Sequence, residues 1–127
     1  MKEVSKIINK VLKKDGIKNF EEILDQINEM ISYTDLEGKI YYLNIAFAEF
    51  LGDSKENIIG KKEGCYLPEK LKDICLQNNR DAYKNGFLSK VDIFDGRIFE
   101  VFKSKVSFRE EKQKNIKIFT VIKIKDC

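Results

Sequence analysis

Apolar residues recur along this chain with two periods, and the change from one to the other marks the elements. Val4, Ile7, Ile8, Val11 and Leu12 fall at i, i+3, i+4, i+7 and i+8, which predicts an amphipathic helix over residues 3–14, closed by Asp15-Gly16. A second helical stretch carries Phe20, Ile23, Leu24 and Ile27, with Asn19 as its cap and Glu21 and Glu22 in its first turn. A short strand over 31–34 then meets an Asp-x-x-Gly turn (Asp35, Gly38), followed by a strand over 39–43. Asn44 is placed to cap the next helix, because its side-chain oxygen accepts from an orphan N–H of the first turn. That helix stops at Gly52, and a shorter one follows before Gly60.

Pro68 opens a longer helix through Tyr83, with Leu71, Ile74, Cys75 and Asn78 on one face and Asn85-Gly86 as its end. Three strands are predicted beyond it. Residues 87–94 reach the hairpin turn Asp95-Gly96, residues 97–108 return, and a charged loop over 109–114 leads into a β-branched strand over 115–125. Two strands, helices and three more strands fit an α+β fold: a five-stranded antiparallel sheet with helices on one face and an N-terminal amphipathic helical extension. The division expected is an extension or cap at 1–26 and one domain at 27–127.

Length agrees with a single core, since 127 residues suffice for one domain. Nine Phe and five Tyr indicate a packed globule. The 24 basic residues nearly balance 21 acidic ones, and a net +3 spread along the chain is a solvated surface, so no nucleic-acid partner is expected. No apolar run approaches the roughly 20 residues of a membrane span and no signal peptide opens the chain, so this segment is expected to be cytoplasmic and off the membrane. Three cysteines without metal-ligand spacing read as free thiols. The absence of histidine removes Ser-His and Cys-His catalysis, histidine metal sites and histidine-ligated haem, and no phosphate-binding glycine pattern occurs. Neither enzymatic activity nor a bound metal is expected.

The order strand, turn, strand, Asn-capped helix, Gly and short helix in ISYTDLEGKIYYLNIAFAEFLGDSKENIIG resembles the first half of a PAS domain, a sensory module of bacterial signalling proteins such as sensor histidine kinases. PEKLKDICLQNNRDAYKNG resembles the long PAS helix, and DGRIFEVFKSKV the strand after the Asp-Gly turn. Lys125-Asp126-Cys127 stands where the family carries a triplet leading to an output domain, so the resemblance implies a sensor fragment whose C-terminal output domain lies outside this chain. Light-sensing flavin relatives place a reactive Cys in a G-x-N-C-R-F-L-Q motif. Here GKKEGCYLPEK sets Cys65 two positions too far from Gly60, and the flavin-binding amides are missing. Flavin and haem are therefore not expected, and no cofactor is assigned.

The resemblance implies a small-ligand cavity between the inner sheet face and the helices. Its alignment turns Ser32 and Thr34 inward on the first strand, Glu100, Phe102 and Ser104 on the fourth, and Thr120, Ile122 and Ile124 on the fifth. Phe47, Leu71 and Cys75 are the helical candidates. Phe99, Val101, Phe119 and Val121 are then expected on the outer face. Arg80 aligns with a phosphate-gripping position of flavin-binding relatives but otherwise reads as helix surface. The function expected is a module that binds a small ligand or partner and relays the change to its output domain. The alternative is a ligand-free dimerisation scaffold, and cavity volume separates them: several hundred Å3 favours sensing, a packed interior favours scaffolding. The stripe Val4, Ile7, Ile8, Val11 and Leu12 needs a covering surface, which predicts a homodimer.

Overall fold

The computed structural model of the chain describes residues 17–110 and 113–126. Helix α1 (Ile17–Leu24) leads into β1 (Met30–Thr34) and β2 (Ile40–Leu43). Helices α2 (Ile45–Leu51) and α3 (Lys55–Ile58), a 3-10 turn (Glu63–Cys65) and the long α4 (Glu69–Asn85) follow. Strands β3 (Phe87–Phe94), β4 (Arg97–Glu110) and β5 (Gln113–Asp126) complete one antiparallel sheet in the order β2-β1-β5-β4-β3. The last strand therefore lies at the centre, beside the first.

Local chemistry sets the boundaries. Asn44 caps α2 in an extended conformation and accepts from the Phe47 N–H, and Gly52 closes it at φ +82°, where a side chain would be strained. Two expectations shift. α1 starts two residues before Asn19, so Asn19 lies inside the helix and Glu21 and Glu22 fall beyond its first turn. The β4–β5 hairpin is tighter than the predicted loop over 109–114, with Glu110 paired to Gln113. The helix predicted over 3–14 and its stripe Val4, Ile7, Ile8, Val11 and Leu12 lie outside the described residues.

The sheet is covered on both faces. On the outer face Phe20 and Leu24 of α1 pack over Ile31, Tyr33, Tyr42, Phe119 and Val121, with the Tyr33 and Tyr42 rings stacked at 5.1 Å. On the inner face Phe47, Ala48 and Ile58 pack against Met30, Leu43, Phe99, Val101 and Ile122. Asn44 locks these layers together. Its Oδ1 also accepts from Ile31 N–H, and its Nδ2 contacts the carbonyls of Leu24, Ile27 and Glu29 where the chain passes from α1 into β1. Asp25, just after α1, accepts from the Tyr42 hydroxyl at 2.8 Å and pairs with Lys55 of α3 at 2.8 Å.

Candidate ligand site

Between the inner face and helices α2 and α4 lies a cavity of about 30 Å3. Met30, Phe47, Phe50, Leu71, Ile74, Cys75, Phe99, Val101 and Ile122 form its apolar wall, and Asn78, Asp92 and Lys103 also line it. Asn78 and Asp92 are engaged: the Asn78 amide donates to Asp92 at 3.0 Å and accepts from Lys90 at 3.1 Å. Lys103 differs. It is only 2% exposed, and its ammonium donates one hydrogen bond, to Thr120 Oγ1 at 3.0 Å.

Lys103 belongs to a polar row crossing the sheet. Antiparallel pairing sets Ser32 opposite Thr120 and Thr120 opposite Lys103, so the three side chains share the inner face. Glu63 approaches this row from the 3-10 turn. Its segment runs along β2, with Ile40 N–H donating to the Lys61 carbonyl and Glu63 N–H to the Gly38 carbonyl. Gly38 has φ +87°, and a Cβ there would sit 3.1 Å from Glu63 Cγ, so the turn and the buried carboxyl require each other's shape. From α4, Asn79 presents its amide to Glu63, yet neither amide atom completes a hydrogen bond.

Several of these buried atoms lack partners: Ser32 Oγ, Glu63 Oε1, and both polar atoms of the Asn79 side chain. Such atoms are rare because each forfeits its hydration. Burial pushes the Glu63 carboxyl above the ordinary carboxylate range, against the opposing pull of Lys103 and Asn79. The Cys75 thiol is pushed up to about 11, chiefly by burial and then by the Glu63 charge, so it is an inert wall rather than a nucleophile.

The expected residues divide clearly. Phe47, Leu71, Cys75 and Ile122 wall the cavity; Ser32 and Thr120 form the polar row. Thr34 lies one inward position further along β1 and donates to the Asp35 carbonyl. Glu100, Phe102 and Ser104 are a correction. β4 pairs Val101 with Ile122 and Lys103 with Thr120, so odd positions of β4 share a face with even positions of β5. Phe99, Val101 and Lys103 thus point inward, while Phe102 packs in the outer cluster. Glu100 meets Lys125 at 2.7 Å, a hydrogen bond that holds its carboxyl below the usual range. Phe119 and Val121 do lie outward, under α1. Arg80 is exposed beside Gln77, and Cys65 is exposed. Lys103, Glu63 and Asn79 escaped the sequence reading. The available signal for Lys103 was a lysine two positions after a core valine in a strand covered on both faces.

Sheet order, the Asn-capped α2 and the cavity under α4 define a small α+β fold. The family model for the PAS fold matches residues 18–123, and the chain belongs to that family. Solved structures agree on the fold. A domain of an HTR-like protein from Haloarcula marismortui superposes with TM-score 0.66 at 17% identity, covering 77% of this chain and 98% of that one. A sensory box sensor histidine kinase from Vibrio cholerae gives 0.63 at 13%, covering 87% and 91%. The PAS domain of nitrogen regulation protein NR(II) from Vibrio parahaemolyticus gives 0.59 at 17%, covering 81% and 94%. No curated protein matches the sequence. Among the described residues no helix is long and apolar enough to cross a membrane, and no cluster of metal-ligating side chains occurs.

Proposed function

We propose that this domain is a cytoplasmic, non-catalytic sensory module that reads a small ligand in its interior and passes the change to an output domain. The observation that supports it most is the buried row of Ser32, Lys103 and Thr120 with Glu63 and Asn79: Lys103 lines the cavity, and Ser32, Glu63 and Asn79 carry buried atoms without hydrogen-bond partners. A site used only for packing gains nothing from such atoms. A ligand contacting Lys103 acts on Thr120 and hence on β5, whose opposite face carries α1 through Phe119 and Val121. Ligand binding then shifts the population between two settings of β5 and α1. The cavity of about 30 Å3 argues for a compact ligand and against flavin or haem. Native mass spectrometry of freshly purified protein tests this reading. A bound small molecule released on denaturation supports it; bare chain mass in every preparation counts against it.

The same small volume favours a second reading, a dimerisation scaffold. Phe87, Val91 and Ile93 are 59%, 58% and 70% exposed along the β3 edge, an apolar strip that a partner surface would cover. Light scattering decides the assembly. A homodimer weakened by Ile8→Glu with Leu12→Glu supports pairing through the N-terminal stripe, and a wild type monomeric throughout the micromolar range refutes it.

A further inference from the structure

The unpartnered atoms around Lys103 carry information about the sign and shape of what they await. Lys103 has two ammonium hydrogens beyond the one given to Thr120. The Asn79 amide and Ser32 hydroxyl add further donors, and all three side chains are at most 2% exposed. Acceptors stand among them too, Glu63 Oε1 and Asn79 Oδ1, but the ammonium at the β4 end of the row, Lys103, has a single hydrogen-bond partner and two donors to spare. An occupant rich in acceptors satisfies them. Glu63 faces the row from the 3-10 turn, Asp35 adds a more distant negative charge, and together they penalise an occupant carrying more than one negative charge. On its outer side Glu63 borders an open groove of about 450 Å3, where Lys62 and Lys72 balance the carboxylates of Glu37 and Glu63.

Beside the row the wall is apolar, with Phe47, Phe99 and Ile122 on the cavity. At about 30 Å3 it is far smaller than an ordinary ligand pocket, so only a short apolar tail fits, and only as α4 yields against the sheet. We propose that Lys103, Asn79 and Ser32 form the head-group site for a short-chain monocarboxylate, whose carboxylate replaces their missing partners and whose tail enters the apolar cavity. This inference rests on the ligand-reading function above and names its ligand class. Glu63 then tunes affinity by opposing the bound charge.

The test is titration of the 15N-labelled 127-residue chain with acetate, butyrate, butyramide, butylamine and inorganic phosphate, followed by amide shifts of β4, β5 and α4. Butyrate is expected to saturate, with butyramide and phosphate at least tenfold weaker. Lys103→Met is expected to weaken butyrate at least tenfold. Asn79→Ala, which leaves the ammonium in place, is expected to weaken it several-fold and keeps the test open if the lysine variant does not fold. Glu63→Gln should tighten butyrate several-fold, an effect a merely structural carboxyl would not produce. Butyramide or phosphate binding as well as butyrate overturns the carboxylate assignment. So does a preference for butylamine that Glu63→Gln abolishes, although the sensory reading then stands. No response to any probe up to tens of millimolar, with no co-purified molecule, overturns both.

Discussion

Replacing Asn44 by alanine isolates the joint between α1, β1 and α2. The side chain is fully buried. Its Oδ1 accepts from Ile31 N–H at 3.0 Å and Phe47 N–H at 3.1 Å; its Nδ2 reaches the carbonyls of Leu24, Ile27 and Glu29 at 3.1, 3.2 and 2.8 Å. Two amide hydrogens serve three carbonyls, so one is shared, and the side chain supplies about four full hydrogen bonds. The Leu24 carbonyl keeps a second donor, the Ile27 N–H, whereas the Ile31 and Phe47 N–H groups lose a buried acceptor. At about 1 kcal/mol per bond, with more for orphaned buried donors, Asn44→Ala should cost about 3–5 kcal/mol. Loss of a helix cap alone costs about 1 kcal/mol. Ser54, whose solvent-facing hydroxyl caps α3 at 3.3 Å, supplies that comparison through Ser54→Ala. Asn44→Asp keeps the acceptor but turns a carboxylate toward three carbonyls, and should be at least as damaging as alanine. Urea unfolding followed by far-UV circular dichroism measures all three, read as midpoint shifts at constant slope. An Asn44→Ala loss below about 1 kcal/mol, or a harmless Asn44→Asp, would refute the hub.

Other perturbations probe separate parts of the account. Because burial raises the folded-state pKa of Glu63, the native state holds that proton more tightly than the unfolded chain; the resulting stability is present in acid and lost as pH rises through the folded value. Glu63→Gln should therefore be more stable than wild type at about pH 8, with the gap closing toward about pH 4, below the ordinary carboxylate value; urea midpoints that diverge in acid contradict this. Gly52→Ala meets no atom within 4 Å but must hold φ +82°, so thermal or urea unfolding should show a loss of about 1–2 kcal/mol, smaller for Gly52→Asn. Phe87→Ser with Ile93→Ser, both at exposed positions, should leave unfolding of the monomer within about 1 kcal/mol while weakening any self-association seen by light scattering.

Patterns confined to neighbouring residues were legible in the sequence. Asn44 and Gly52 bound α2, Gly86 ends α4 and Asp95-Gly96 turns β3 into β4, because each of these devices acts within a few residues. The face of β4 was not legible. Both faces of this sheet are covered, so Phe99, Val101 and Phe102 offer no apolar alternation to read, and the pairing with β5 depends on a hairpin whose tightness the charged residues 109–114 conceal. That single parity exchanged Glu100 for Lys103 at the site. Glu63 was hidden for another reason: backbone bonds to Gly38 and Ile40 carry its segment inward, and a polar loop shows nothing of them in its composition. Asn44 was readable as a cap, but its hold on the end of α1 spans 15 to 20 residues of sequence.

The central claim is that the row of Ser32, Thr120 and Lys103, with Glu63 and Asn79, awaits a polar occupant rather than completing its own packing. A high-resolution crystal structure of the freshly purified chain examines it directly. The account predicts a non-water molecule within hydrogen-bonding distance of Lys103 Nζ, with the Asn79 amide and Ser32 hydroxyl turned toward it. Ordered water alone in that space, or Lys103 closed onto Glu63 as a direct ion pair with no room between, would contradict it.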